Sequence, residues 1–134
     1  MTSPTFELQV AIVSRLAAVP AVTDLIGAGV YDQVPDDAAF PYLSFGPSDE
    51  ASDDADCITA QEITMQLDVW SRAPGFPECR KIANAVRDAL HDHDFELPTN
   101  AAVSFRHRVT RYFRDPDGLT SHGAMTFEAI VEQP

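Results

Sequence analysis

The run His91-Asp92-His93-Asp94 is the most suggestive candidate for metal binding in the sequence. Residues two apart on a helix point about 200° away from each other, so His91 and His93 share an ion only where a helix has already ended. Histidine also suits a helix C-terminus, because its charged form interacts favourably with the helix dipole. We therefore interpret the run as solvated side chains at the end of a helix and predict no metal site.

A second candidate is Asp115-Pro116-Asp117-Gly118, which resembles the start of a calcium-binding loop. The positions that follow are not acidic, and no glutamate stands at the twelfth position of such a loop. A tight turn explains the same residues, since Pro116 presets one dihedral, Asp117 can bond its own backbone and Gly118 tolerates positive φ. We predict a hairpin turn here.

Nucleophilic catalysis needs a serine or cysteine beside a base, and the sequence offers several residues of these types without a recognisable arrangement. No nucleophile elbow, protease-like signature, glycine-rich phosphate loop or Walker-type lysine is present. The candidate nucleophiles are Cys57, Cys79, Ser44 and Ser71, and the candidate bases are His107 and His122. We predict that the protein is not an enzyme and uses no cofactor.

The composition predicts one acidic domain spanning residues 1–134, with 45% apolar residues and a net charge of −12. This charge disfavours tight wrapping of nucleic acid but suits a surface along which DNA passes without sticking; alternatively, it only keeps the protein soluble. Two cysteines are too few for a disulfide framework. The sequence shows neither a secretory signal nor a membrane span, so we expect a soluble protein made in a reducing cytoplasm.

The segment Glu62–Trp70 has the clearest alternation in the chain and predicts a half-buried β-strand. Its apolar residues are Ile63, Met65, Leu67 and Val69, and its polar residues are Glu62, Thr64, Gln66 and Asp68. We expect the apolar face to be core and the polar face to be exposed.

Apolar residues at helical spacing predict helices over Pro4–Val19, Ala21–Ile26 and Pro77–His91, with Ser3 as the cap of the first. The expected buried stripe of the first helix is Phe6, Val10, Val13, Leu16 and Ala17. That of the last helix is Cys79, Ile82, Ala83, Val86 and Leu90. We expect this last stripe to cover the apolar face of the Glu62–Trp70 strand.

Further strands are predicted at Val30–Val34, Ala39–Phe45, Val103–Phe113 and Ser121–Val131. Because Pro41 cannot donate a ladder hydrogen bond, the second of these is an edge strand or begins only at Tyr42. In the last strand, Met125, Phe127, Ala129 and Val131 share one face. The order is α-α-β-β-β-α-β-β, which predicts an α+β fold with a mainly antiparallel sheet and two longer helices packed on one face.

Charge is distributed unevenly along the predicted sheet. We expect residues 46–57 to form an exposed hairpin loop, which contains five acids. Four arginines lie along the predicted strand that begins at Val103, and Arg106 and Arg108 share a face of it. In one interpretation, the acidic loop of one subunit meets the arginine strand of the next, head to tail. In the other, the arginines lie on a solvated outer face and pair with acids of the same chain.

Several short segments, taken in order and spacing, resemble the tail-completion family of long-tailed phages. These are Val30-Tyr31-Asp32, Val34-Pro35, Ala39-Phe40-Pro41-Tyr42, Val69-Trp70-Ser71-Arg72, Ile82–Leu90, Arg111, Arg114–Thr120 and His122-Gly123. The family comprises small tail-terminator or head–tail connector proteins of phages, prophages and phage-like gene transfer agents.

The resemblance implies a homo-oligomeric ring, commonly a hexamer, at the head-proximal end of the tail tube. Such a ring stops polymerisation of the tail tube protein and meets a head-completion or stopper protein, while DNA passes through its lumen without specific binding. A negatively charged lumen would repel phosphates and let DNA slide. The protein would be cytoplasmic during assembly and then part of the particle at the head–tail junction.

We predict lumen or subunit-interface residues on the acidic loop, the polar face of Glu62–Trp70 and the arginine strand. They are Asp49, Glu50, Asp53, Asp54, Asp56, Glu62, Asp68, Arg72, Arg106, Arg108, Arg111 and Arg114. A different class of function is a small cytosolic adaptor or ligand-binding domain that acts through the same sheet. An enzyme would instead need a pocket that brings His107 or His122 together with serine or cysteine.

Overall fold

A single five-stranded sheet organises the chain in the computed structural model, which describes residues 2–134. The elements are α1 (Pro4–Ala17), α2 (Pro20–Ile26), β1 (Val30–Tyr31), β2 (Tyr42–Ser52), β3 (Ala60–Ser71), α3 (Pro77–Leu90), β4 (Ala101–Arg114) and β5 (Ser121–Glu132). Across the sheet the order is β1-β2-β3-β5-β4; β1 is parallel to β2 and every other pair is antiparallel. The predicted α+β fold class is confirmed.

The centre of the sheet has the regular alternation that the sequence predicts. On β3, Ile63, Met65, Leu67 and Val69 are at most 3% exposed, and they pair without interruption with β5. The predicted stripe of α3 is buried as well, and it lies against β3, β4 and β5. Burial of each such aliphatic side chain contributes about 2 kcal/mol, so this layer supplies the main stabilisation of the fold.

The buried face of α1 differs from the prediction. Leu8, Ile12 and Leu16 are buried, whereas Phe6 is 59% and Val10 is 54% exposed. Two apolar stripes with helical spacing overlap in this helix, and the one that contains the leucines packs into the core. Val13 and Ala17 lie on the exposed side with Phe6, so only Leu16 of the predicted stripe is core. The outer stripe leaves an apolar strip on the surface.

The start of α1 is held by its cap and by a buried carboxylate. Ser3 caps the helix, as predicted, by accepting a hydrogen bond from Phe6 N at 3.2 Å. Glu7 is buried and accepts hydrogen bonds from the backbone and side chains of Thr99 and Asn100. Burial by itself raises the pKa of the Glu7 carboxyl, but these hydrogen bonds outweigh it and the net pKa is lowered. The carboxylate therefore fixes α1 to the turn before β4.

The remaining helices end close to their predicted limits. Among residues 2–134 no single helix has the length and hydropathy to cross a membrane; only α1 and α2 taken together, bent by 84°, pass by length and composition. Helix α3 ends at Leu90, and Asp92 just after it takes a positive φ of 57°. The His91–Asp94 run thus lies just past the end of α3, although the helix was predicted to include His91. The His91 side chain is only 22% exposed, so it is not the solvated side chain that was expected.

The edge strands depart most from prediction. β1 is only Val30–Tyr31, and β2 begins at Tyr42, which was one of the two alternatives for this strand. β2 then continues through Ser52, so Asp49 and Glu50 lie on a strand and not in a loop. Gly46 and Pro47 form an irregularity in the ladder, because the pairing with β3 shifts between Phe45 and Ser48.

On β4, two further irregularities break the alternation expected over Val103–Phe113. The pairing with β5 shifts around Val103 and again around Arg108. An extra residue at each point reverses which side chains face the core. As a result Phe105 is buried while Val109 and Phe113 are exposed on the same side as Arg106 and Arg108, which do share a face.

Candidate assembly surfaces

The acidic arm, residues 48–59, is a hairpin at one end of the β2–β3 ladder. Every residue from 47 to 59 is exposed. The hairpin is ordered by its own backbone, with Asp53 N donating to Ala60 O at 2.9 Å and Ala55 paired with Ile58. Asp54 Oδ1 also accepts from Ala60 N at 3.1 Å. Asp56 takes a positive φ of 45°, which aspartate tolerates better than most residues.

None of the five acids of the acidic arm takes part in an ion pair within residues 2–134. They are Asp49, Glu50, Asp53, Asp54 and Asp56. Like charges concentrated on an exposed hairpin repel one another, and this chain provides no cation to offset them. The arm is therefore a strongly negative surface whose acids have no ion-pair partner among residues 2–134.

The arginines of β4 have only partial compensation from their own chain. Arg108 approaches Glu128 at 3.2 Å, and Arg106 approaches Asp92 at 4.0 Å. Both arginine side chains are more than 60% exposed, so such pairs contribute about 0.5 kcal/mol or less. Arg111 has no ion pair in the described part of the chain, and the Arg114 guanidinium lies 5.1 Å from the centre of the Phe76 ring.

The outer edge of β4 is divided into two halves. In the first half, Phe105 O accepts from Asp92 N at 2.8 Å, and His107 N donates to His91 Nδ1 at 3.0 Å. Glu96 also forms an isolated bridge with Ala101. The segment after α3 thus covers this half. In residues 109–114, by contrast, no backbone group has a hydrogen bond outside the ladder with β5 within the described chain. We call residues 109–114 the open edge.

At the opposite end of the sheet from the acidic arm, the outer face carries a packed polar cluster. His122 stacks on Trp70 with ring centres 3.9 Å apart, and its Nε2 lies 2.6 Å from Asp68 Oδ1. Gln66 donates to the same oxygen at 2.8 Å, and Trp70 Nε1 donates to Ser44 Oγ at 2.9 Å. We call these five residues the Trp70 cluster.

Asp68 therefore does not lie on an exposed polar face, which corrects the expectation from its alternation. It is only 5% exposed. A Cβ at Gly46 would lie 2.6 Å from Asp68 Oδ2, so the glycine permits β2 to approach this carboxylate closely. Glu62 at the other end of the polar face is exposed, as predicted.

Arg72 connects the loops beside the Trp70 cluster. Its Nε donates to Thr120 Oγ1 at 3.2 Å, and its guanidinium lies 4.3 Å from the centre of the Phe40 ring. Asp117 lies 3.9 Å away and accepts from Leu119 N, Thr120 N and the Thr120 hydroxyl. The hydrogen bonds from Leu119 and Thr120, together with Arg72, lower the pKa of Asp117. The predicted turn at Asp115–Gly118 is confirmed, with Gly118 at a φ of 70°.

Most segments on which the family resemblance rests meet at this end of the sheet. β1 pairs with Leu43 and Ser44, Phe40 lies against Arg72, and Trp70 lies against His122. The short motifs are far apart in sequence but form one junction of strand ends and loops. The sequence alone does not connect them, because the contacts join residues that are distant along the chain and none follows a local period.

The candidate catalytic residues are not brought together. Burial raises the pKa of the Cys79 thiol to about 11, which leaves it protonated and poorly nucleophilic near neutrality. His107 lies 2.7 Å from Thr110 Oγ1, and burial, Arg87 and His91 lower its pKa. In the chain from residue 2 onward, no serine or cysteine side chain is hydrogen-bonded to His107 or His122. The same residues contain no group of three histidine, cysteine or acidic side chains placed to hold a metal ion.

Comparison with known proteins places these surfaces in context. Over residues 10–132 the sequence matches the family model described as tail completion protein gp17. A chain in the virion of a native gene transfer agent (GTA) particle is 27% identical, with a TM-score of 0.90; the match covers 98% of this chain and 99% of that one. The bacteriophage SPP1 gp17 protein shares the fold, with 21% identity, a TM-score of 0.62, and 93% and 88% of the two chains covered. A comparison with curated protein sequences found no significant match.

The family model covers all three parts of the candidate surface, namely the acidic arm, β4 and the Trp70 cluster. The resemblance inferred from short ordered segments is therefore confirmed over almost the whole chain. From its sequence and its fold, this protein belongs to the tail completion protein gp17 family.

Proposed function

We propose that this protein is a tail terminator, a structural virion component that forms a ring on the head-proximal end of a tail tube. The observation that carries the proposal is the end-to-end similarity to a chain of the native gene transfer agent virion, at 27% identity and a TM-score of 0.90. In this role the ring stops polymerisation of the tail tube protein and joins the tube to a head-completion or stopper protein. A hexamer is the stoichiometry that we expect.

The charge distribution supports passage of DNA through the ring. The net charge is −12, and the five acids on the exposed hairpin form no ion pair within residues 2–134, so the protein repels phosphates at short range. Repulsion of this kind disfavours binding to DNA, so a duplex can move along an acidic wall. The acidic arm and Glu62 are the residues that we propose for the lumen or for the contact between subunits.

The other predicted surface residues fall into two groups according to the contacts that they make. Arg106, Arg108, Arg111 and Arg114 remain candidates for the contact between subunits. Asp68 is buried in the Trp70 cluster and Arg72 is engaged with Thr120 and Phe40, so we assign both to holding the sheet end in shape. The protein would assemble in the cytoplasm and then reside at the head–tail junction of a phage or phage-like particle.

Deletion of the coding sequence from the particle-producing system tests this function. We expect tails of irregular length and heads without attached tails in electron micrographs, both restored by expression of the wild-type chain. Tails of normal length that are still joined to heads would contradict the proposal. If the purified chain also stayed monomeric with and without tail tube protein, an adaptor or ligand-binding role would be favoured instead.

A further inference from the structure

The two edges of the sheet carry opposite charge. At each edge, part of the strand has no neighbouring strand to pair with its backbone N–H and C=O groups in residues 2–134. At one border, β1 pairs only with Leu43 and Ser44, so within residues 2–134 the rest of β2 has no strand on its outer side. This part of β2 carries Asp49 and Glu50. At the other border lies the open edge of β4, which has Arg111 and Arg114 within it and Arg108 beside it. An unpaired strand edge is a template for addition of another strand.

We propose that the acidic edge of β2 in one copy adds to the open edge of β4 in the next copy, forming a sheet that continues from subunit to subunit. The inference rests on the proposed ring and specifies how the ring is joined. The partner is thus a second copy of this chain, held by main-chain hydrogen bonds as well as by charge.

The direction of the strands is compatible with this addition. β2 is antiparallel to β3, β3 to β5 and β5 to β4, so β4 runs antiparallel to β2. A neighbouring copy that is rotated about an axis along the strands keeps its β2 antiparallel to β4. The new pair would then continue the antiparallel pattern already present in the sheet.

Charge selects this pairing over the pairing of identical edges. Two copies of the open edge would bring arginines together, and two copies of the β2 edge would bring carboxylates together. Like charges directly opposite each other are destabilising, whereas the mixed pair is attractive. Two unlike edges give a head-to-tail contact, and a head-to-tail contact closes into a ring when its rotation allows.

The covered half of β4 determines the offset between copies. One row across the sheet joins Asp49, Thr64, Glu128 and Arg106. Unshifted addition would place Asp49 of the next copy beside Arg106, where the segment after α3 already occupies the edge. The next copy must therefore shift toward Arg114 by at least three residues, or about 10 Å or more along the strand, to bring Asp49 past the covered half. Closure of a sheet around an axis requires a stagger of this kind.

Charge reversal on the full-length chain tests the pairing, with ring formation measured by native mass spectrometry in the presence of purified tail tube protein. The arm variant is Asp49→Arg with Glu50→Arg, and the edge variant is Arg108→Glu with Arg111→Glu. We expect each to shift the protein from the ring to the 14.7 kDa protomer. All four changes in one chain restore complementarity, so we expect the ring to return.

Controls of equal charge change separate a specific contact from a general charge effect. Asp36→Arg with Asp37→Arg alters an exposed loop, and Lys81→Glu with Arg87→Glu alters the exposed side of α3. We expect both controls to form rings as the wild type does. Rings formed by the arm and edge variants alone, or failure of the four-change chain to form them, would overturn the inference.

Amide hydrogen exchange tests the main-chain part separately. We expect amides of residues 109–114 to exchange at least tenfold more slowly in the wild-type ring than in the edge variant, since addition of a strand protects them. Rings in which these amides exchange at the protomer's rate would overturn strand addition and leave the proposed function intact. Absence of any wild-type ring with tail tube protein would overturn the proposed function and this inference together.

Discussion

Carboxylates occupy both ends of the outer sheet face, but they are used in opposite ways. Asp68 is 5% exposed and is bonded to His122 and Gln66, whereas Asp49 and its neighbours on the acidic arm are exposed and have no ion pair in residues 2–134. A buried carboxylate with two partners stabilises the chain that contains it. An exposed cluster of like charges does not, so its value must lie in what it attracts or repels outside the chain.

The contrast is sharpest for substitution of Asp68. Asp68→Ala would leave the buried His122 and the half-buried Gln66 without their acceptor, and we expect a loss of about 3 kcal/mol in the free energy of unfolding. Urea denaturation of the purified chain measures this loss. Asp49→Ala is the matched control, since removal of an exposed unpaired acid should change stability by less than about 0.5 kcal/mol. Equal losses in the free energy of unfolding for the two variants would show that Asp68 does not stabilise the chain more than Asp49 does.

Gly46→Ala should have the next largest effect. Its Cβ would lie 2.6 Å from Asp68 Oδ2 and 3.0 Å from Gln66 Nε2, so the cluster must shift, and we expect a loss of about 2 kcal/mol. Combination with Asp68→Ala removes the clashing oxygen. The losses of the double variant should then be clearly less than additive in the same denaturation assay. Full additivity would show that the glycine does not act through Asp68.

Neutralisation of the acidic arm should have the smallest effect on stability. The variant carries Asn at Asp49, Asp53, Asp54 and Asp56 and Gln at Glu50. Asparagine keeps the Oδ1 acceptor used at Asp54 and tolerates the positive φ at Asp56, so we expect unfolding to change by less than about 1 kcal/mol. Ring assembly or DNA delivery by particles should nevertheless fall. If both were unchanged, the arm would be merely solvated.

The sequence predicted the fold best where one local period determined the outcome. Ile63 and Leu67 could be placed in the core because β3 keeps its alternation throughout and pairs with β5 without irregularity. In α1 two apolar stripes compete, and only packing against the rest of the chain decides that Leu8 is buried and Phe6 exposed. On β4 the extra residues at Val103 and Arg108 reverse the facing of the side chains, and no composition signal marks them.

The candidate surfaces were predicted by charge but not by geometry. The acids and arginines could be located from sequence, while the extension of β2 into the arm and the covering of half of β4 by His91 and Asp92 required long-range pairing. For the same reason Asp68 was expected on an exposed face. Its burial depends on His122 from a distant strand and on the close approach at Gly46.

The placement of the two cysteines makes the acidic arm accessible to spectroscopy without any substitution. Cys57 is exposed near the tip of the arm, while Cys79 is buried with a pKa of about 11. Alkylating dyes react with thiolates, so at neutral pH they should label Cys57 almost exclusively. A single fluorophore on the native chain would then report through its anisotropy and quenching when the arm of one copy meets another molecule.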